Sequence, residues 1–217
     1  MAESFTDSPL LTARFAAALT FALEHHERHL RKGTPVPYVA HLLAAASLVL
    51  EMHGDEDEAI AALLHDVVED GGGRGALVDI ERAFGPAVAA TVLANIDAVD
   101  EGAGIPSWGE RKRGYIASFP TKSPAALRVS LADKLHNARA ILLDYRTHGD
   151  DVWTRFGQRQ GLATRVYYRE LAAAFEREQD RMGEAAVPMV GELRRTVDAL
   201  TALAQDRQGP DSRALFD

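Results

Sequence analysis

Six residues could carry chemistry together: His41, His65, Asp66, Glu69, Asp70 and Asp133. Four of them fall in one stretch, LLHDVVEDGGG, residues 63–73. Read as helix, the stretch puts Glu69 one turn after His65 and Asp70 one turn after Asp66, so two acidic rows share one side. Carboxylates at a helix C-terminus meet the partial negative charge of unpaired carbonyls. A dication beside His65 and Asp66 would offset that charge and leave Glu69 and Asp70 near the water it activates. His41 stands among Val39, Leu42 and Leu43, where an imidazole needs a partner. Asp133 lies between Leu131 and Leu135 in SLADKLHN, and a carboxylate in an apolar stretch is costly unless paired or bound to metal. Two imidazoles and two carboxylates make a nitrogen–oxygen site matched to a dication.

Each piece alone has a plainer explanation. His41 reads as a hydrogen-bonded core histidine, Asp133 as a partner of Lys134 or Arg139, and Glu69 with Asp70 as a solvated helix end. Their combination in this order on expected helices, His41, then His65-Asp66 with Glu69-Asp70 one turn on, then Asp133, favours the metal site.

The elements that must position these residues are helical almost throughout. Residues 9–30 carry Leu11, Phe15, Leu19 and Leu23 one turn apart. RKGTPVP, 31–37, is a loop, with one glycine and two prolines. Helices follow over 38–53 and 55–70, the second opened by acids, given a buried face by Ile60, Leu64, Val67 and Val68, and stopped by Gly71–Gly73. A short helix near 76–84 and one from Pro86 to about Asp97 lead to the loop 100–107. A basic helix covers 108–119, and Pro120 breaks the chain. A long helix over 123–146 has Ser123 as cap and Pro124 as its first residue. A short helix at 151–156 and helices at 160–181 and 187–205 complete the chain, with a frayed tail from Gln208. The last helix carries a stripe, Val190, Leu193, Val197, Leu200 and Leu203, that suits core packing or a dimer face. No β-hairpin signal and no repeat interrupts this pattern, and the fold class is all-α.

Composition narrows the function. The chain has 217 residues, 47% hydrophobic and 26% charged, which suits one soluble globular domain. No apolar run approaches the roughly 18 residues of a membrane span, and MAESFTDSPL lacks the features of a secretory signal, so a cytoplasmic protein with no membrane partner is expected. With no cysteine, thiolate sites are excluded, and a metal must take His, Asp, Glu or water. A net charge of −8 argues against nucleic acid as partner but permits a small phosphorylated ligand at a local basic patch.

The order His41…His65-Asp66…Asp133 resembles the HD-domain metal-dependent phosphohydrolases. HDVVED (65–70), LADKLHNARAI (131–141) and RKGTPVPYVAH (31–41) resemble the hydrolase domain of the RelA/SpoT homologues. ERKRGYIASFPTKSPAALRVSLADKLHN (110–137) is similar to the stand-alone small alarmone hydrolases. The resemblance spans about residues 10–180. It implies a compact HD-domain bundle of about 8–10 helices. Residues 1–183 would form the phosphohydrolase domain, with 184–217 as a helix and tail packed on it or extending it. It further implies that His41, His65, Asp66 and Asp133 bind the metal, usually Mn2+, with Zn2+, Fe2+ or Mg2+ as alternatives. Glu69 and Asp70 would then orient and deprotonate the attacking water. Arg31 and Lys32 would meet base and phosphate, Asn137 the base or ribose, and Thr164 and Tyr168 the nucleoside. Lys32, Lys112, Lys134 or Arg139 would neutralise the leaving group. His25, His26, His29, His53 and His148 fit surface roles, and His136 fits packing.

The implied activity is removal of the 3′-pyrophosphate of (p)ppGpp, yielding GDP or GTP and pyrophosphate, with no room for a synthetase in 217 residues. The loop after Arg31 carries one residue and one proline more than the long bifunctional enzymes, and ANIDAVD (94–100) differs from their Thr-Asp-like turn. That loop reads the base in the family, so (p)ppApp is an alternative substrate. NADPH phosphatase and 5′-nucleotidase activities are others. A non-catalytic nucleotide binder is disfavoured because binding alone needs neither Glu69 nor Asp70. Monomer and homodimer both fit.

Overall fold

The acids that open the third helix are placed where backbone N–H groups need acceptors. In the computed structural model, which describes residues 10–96, 106–156 and 160–208, α3 (Glu56–Leu64) starts at Asp55, whose side chain accepts from Glu58 N at 2.9 Å. From Ala59 to Leu64 every residue of α3 is fully buried. A helix that is apolar all round after its acidic first turn belongs at the centre of a fold, and the others are arranged around it. α1 (Ala13–His25), α2 (Val39–Glu51) and α5 (Pro86–Ala94) pack on α3, and so does α7 (Pro124–His148). α4 (Gly73–Phe84) packs on α5, α6 (Trp108–Ala117) on α8 (Gln160–Glu178), and α9 (Val187–Gln208) on α7 and α8. Among the described residues the structure is all-α, and its one β-type pairing is an isolated antiparallel bridge between Leu30 and Pro37. Among the described residues no helix is long and apolar enough to cross a membrane.

α7 is long because its start is well capped: Ser123 accepts from Ala126 N at 3.1 Å, and Pro124 has no N–H to satisfy. It crosses α2 and α3 and so brings Asp133 to the ends of both. Glu58 and Arg128 form a buried, bidentate ion pair that ties α3 to α7. On α9, Val190, Leu193, Val197 and Leu200 are buried against the rest of the chain, while Leu203 is partly exposed.

Several expected boundaries shift. α1 ends at His25 rather than near residue 30, and its inner face is Ala18 and Ala22 with Phe15 and Leu19 beside them. Leu23 is 46% exposed. Two alanines facing α3 let the helices approach closely, which a leucine stripe would prevent. The loop 31–37 folds into a small hairpin-like turn, held by Arg31 N to Val36 O at 2.8 Å and Tyr38 N to His29 O at 2.9 Å. Pro120 lies in a 3-10 turn, Phe119–Thr121, that continues from α6.

The main correction concerns residues 65–73. The helix expected over 55–70 stops at Leu64; 65–67 form a turn, and Val68–Gly72 a single wide π-type turn, closed by Gly72 N to Val67 O at 3.1 Å. The glycines do not stop a helix. They permit this wide turn and the start of α4. A Cβ at Gly72 would lie 2.4 Å from Ala76 Cβ and 2.5 Å from Val67 O, and Gly73 has φ +55°. The helices expected near 76–84 and 86–97 are α4, which begins three residues earlier, and α5, which ends at Ala94. Residues 97–100 of ANIDAVD, most of the loop 100–107 and the tail from 209 lie outside the described residues.

Candidate metal centre and its cavity

Three elements deliver the four expected ligands to one region. His41 is in the first turn of α2, His65 caps the C-terminus of α3, Asp66 follows in the turn, and Asp133 is mid-way along α7. His65 Nε2 is 3.0 Å from Asp66 Oδ2 and 3.7 Å from Asp133 Oδ1. His41 Nε2 is 3.2 Å from Asp133 Oδ1 and 3.5 Å from Asp66 Oδ2. Both Nε2 atoms are buried without a hydrogen-bond partner. Bonds of about 2.0–2.2 Å to a shared ion place its ligands roughly 3–4 Å apart, the spacing of each imidazole from each carboxylate; His41, His65 and Asp133 all lie within 4.8 Å of one another. Two buried, unpartnered imidazole nitrogens converging on two carboxylates are costly on their own, and they fit a divalent cation.

The surrounding contacts set tautomer and charge. His65 Nδ1–H donates to Ala62 O at 2.8 Å, so its Nε2 lone pair faces the site. His41 Nδ1 is 2.8 Å from His136 Nδ1. With His41 Nε2 turned to the site, its proton is on Nδ1 and His136 accepts it. Burial, His41 and Arg31 lower His136 to about 4, which keeps that acceptor neutral. His136 thus holds the ring of His41 through Nδ1 as well as packing beside it. Tyr38 O–H donates to Asp66 Oδ2 at 2.6 Å, and burial together with the Asp66 charge pushes the phenol pKa up. Lys134 Nζ donates to Asp133 Oδ2 at 2.6 Å, Asn137 Nδ2 donates to Asp133 Oδ1, and Arg31 donates to Asn137 Oδ1 at 2.6 Å. Burial disfavours charge on Asp66 and Asp133. Nevertheless, His65, with His41 beside it, holds Asp66 well below the usual carboxylate range, and Lys134 with the same imidazoles does so for Asp133. Burial also opposes a proton on His65, but Asp66 and Asp133 outweigh it and raise that pKa. An ion taking this place must displace that proton.

The cluster opens into a cavity of about 910 Å³. Arg31, Lys32, Asn137, Thr164 and Tyr168 all line it, as the resemblance implied for substrate contacts. So do Lys112 and Lys134, whereas Arg139 points away and lies 3.8 Å from Glu192. Trp108 and Tyr167 add an aromatic wall, their rings 5.9 Å apart edge to face. Asp70 lines the cavity, and its pKa is raised by burial and by the Asp66 charge. Glu69 is exposed on the wide turn and does not line the cavity. Asp70 keeps its place one turn after Asp66, its N donating to Asp66 O at 2.9 Å, and both line the cavity, whereas Glu69 does not share that face.

Sequence reasoning overlooked Tyr38, although it stands inside the PYVAH segment, and it put His26 on the surface. His26 is 4% exposed, with its ring stacked on Tyr38 at 4.9 Å. The chain turns back after His25 and folds His26 under the loop. The spacing His26-x-x-His29, two imidazoles on one side of a turn, was the available signal.

The HD domain family model matches residues 18–163. The Mus musculus protein named guanosine-3′,5′-bis(diphosphate) 3′-pyrophosphohydrolase MESH1 is 35% identical over 132 residues, covering 59% of this chain and 70% of its own. The Drosophila melanogaster protein of the same name is 34% identical over 148 residues, 66% of this chain and 76% of its own. A GTP pyrophosphokinase of Streptomyces coelicolor is 28% identical over 200 residues, 88% of this chain but 23% of that protein. A solved structure described as a metazoan orthologue of SpoT that hydrolyses ppGpp superposes with a TM-score of 0.64 at 26% identity, covering 94% of this chain and all of that one.

Proposed function

The chain belongs to the HD-domain family, and we propose that it hydrolyses the 3′-pyrophosphate of (p)ppGpp, releasing GDP or GTP and pyrophosphate. The observation that carries this reading is the union of a four-ligand cluster, an adjacent carboxylate and a cation-rich wall in one cavity. The relatives named for this activity support it. His41, His65, Asp66 and Asp133 would hold a divalent ion, for which we propose Mn2+. Bound there, the ion supplies Lewis acidity, acidifying water and polarising the phosphoryl group.

The chain's own groups do the rest. Asp70, its pKa raised by burial and Asp66, accepts the proton of the attacking water. Glu69, on the same turn, is proposed to help orient that water. Lys32, Lys112 and Lys134 balance the charge of the departing pyrophosphate. Arg31 and Asn137, already hydrogen-bonded to each other, face the base and ribose, while Thr164 and Tyr168 close over the nucleoside. The water oxygen bonds to the proximal phosphorus, the bond to the 3′ oxygen breaks, and that oxygen takes up a proton. These residues carry the hydrolase reaction, in a protein we assign to the cytoplasm.

The test is an assay of the purified protein with Mn2+ against ppGpp, ppApp, NADPH and deoxynucleoside monophosphates, with products identified. GDP and pyrophosphate from ppGpp are expected. Absence of ppGpp turnover, with turnover of another of these substrates, would replace the reading.

A further inference from the structure

A second set of ligating atoms meets at the edge of the same cavity. His26 Nδ1 and His29 Nδ1 are 2.9 Å apart, and Asp70 Oδ2 is 3.9 Å from His26 Nδ1. One ligating atom from each residue lies within 4.8 Å of the other two. We propose that His26, His29 and Asp70 form a second divalent-cation site, separate from the four-ligand cluster. A proton shared between the imidazoles would account for their close nitrogens; Asp70 at the third corner completes a set of three residues each offering one ligating atom.

The site is built from fixed parts. His29 N donates to His26 O at 3.0 Å, so one turn holds both rings. The His26 side chain is fully buried, and its stacking on Tyr38 fixes its direction. Asp70 arrives from the wide turn on the opposite side. The His25 ring packs edge-on against His26 at 4.7 Å. The His26 ring therefore presents Nδ1, not Nε2, to His29 and Asp70.

His29 and Asp70 line the cavity. Tyr38 joins the two clusters, stacking on His26 and donating to Asp66. Two imidazoles and one carboxylate favour a borderline ion such as Mn2+, Fe2+ or Zn2+ over Mg2+. Asp70 alone repels a polyphosphate entering the cavity; with a dication on it, the same corner attracts one. That role rests on the proposed substrate, but the existence of the site does not.

The experiment counts ions. The full-length chain is stripped with chelator, equilibrated with Mn2+ and analysed for metal per chain. Two ions are expected for the wild type and one for His29→Ala, whose exposed position leaves the fold intact by circular dichroism. One is also expected for His65→Ala, and none for the double variant. One ion in the wild type, or two in His29→Ala, would overturn the proposal. Two ions in a protein that does not turn over ppGpp would support the site while removing the substrate reading.

Discussion

Removing one oxygen atom, in Tyr38→Phe, isolates how far the metal centre depends on a group that touches a ligand and no metal. The ring remains, so its stacking on His26 and the contact of Arg31, 5.7 Å above its centre, are kept. What is lost is the 2.6 Å hydrogen bond to Asp66 Oδ2, the oxygen that also faces His65 and His41. A hydrogen bond to a charged group contributes about 1.5–3 kcal/mol, and 1.4 kcal/mol is about tenfold in affinity. Removal of such an outer partner costs about 10–100-fold, in agreement. We therefore expect Mn2+ affinity to fall by about 10–100-fold with Tm nearly unchanged. Activity should return towards wild type at saturating metal. Titration of the stripped protein with Mn2+ and a metal-dependence series of kcat/KM measure both. Affinity within twofold of wild type would refute the role of the phenol, and an activity loss that metal does not restore would relocate it to substrate contact.

Asp70→Asn should retain ions at the four-ligand cluster and lose turnover by about 10²–10⁴-fold, measured beside Glu69→Gln; unchanged turnover in Asp70→Asn would remove it as base. Gly72→Ala must push a methyl group against Val67 O and Ala76, and overpacking of this kind costs about 1–3 kcal/mol. A lower Tm and reduced turnover are expected, and an unaltered melt would show that the wide turn yields freely. Burial, with His25 and His29 nearby, lowers His26 to about 4 from 6.5. The unfolded chain therefore takes up a proton that the folded one refuses as pH falls through that window, and the stability contribution present above pH 6.5 is lost towards pH 4. In chelator-treated protein the Tm advantage of wild type over His26→Asn should shrink over this range, at about 2–4 °C per kcal/mol; a constant gap would contradict it.

The meeting of His41, His65 and Asp133 was legible because α2, α3 and α7, which carry or end at them, follow from periodicity. His41 and Asp133 sit in apolar stretches where their polarity needs a reason, and the structure buries both beside His65. The register of residues 65–73 was not legible. Helical spacing continues smoothly through HDVVED, and only close backbone approaches at Gly72 reveal that the chain widens there. The inward turn of His26 was hidden for a similar reason: its neighbours Glu27 and Arg28 are exposed, and burial depends on where α1 stops. Loop 31–37 kept its expected irregularity, but its closing bridge pairs Leu30 with Pro37, which no alternation announces.

That bridge divides the molecule's capacity for change. The hydrolytic ligands are anchored to α2, α3 and α7, where most substitutions disturb the core. Residues 32–36 hang outside it, closed by two short backbone hydrogen bonds and carrying little buried surface. Mutations at residues 33–36 cost little stability, so if this loop meets the base, as proposed, nucleotide preference can be retuned in small steps while Lys32 and the metal-site residues are kept. Lineages sharing this architecture are expected to diverge first in what they recognise and last in how they cut.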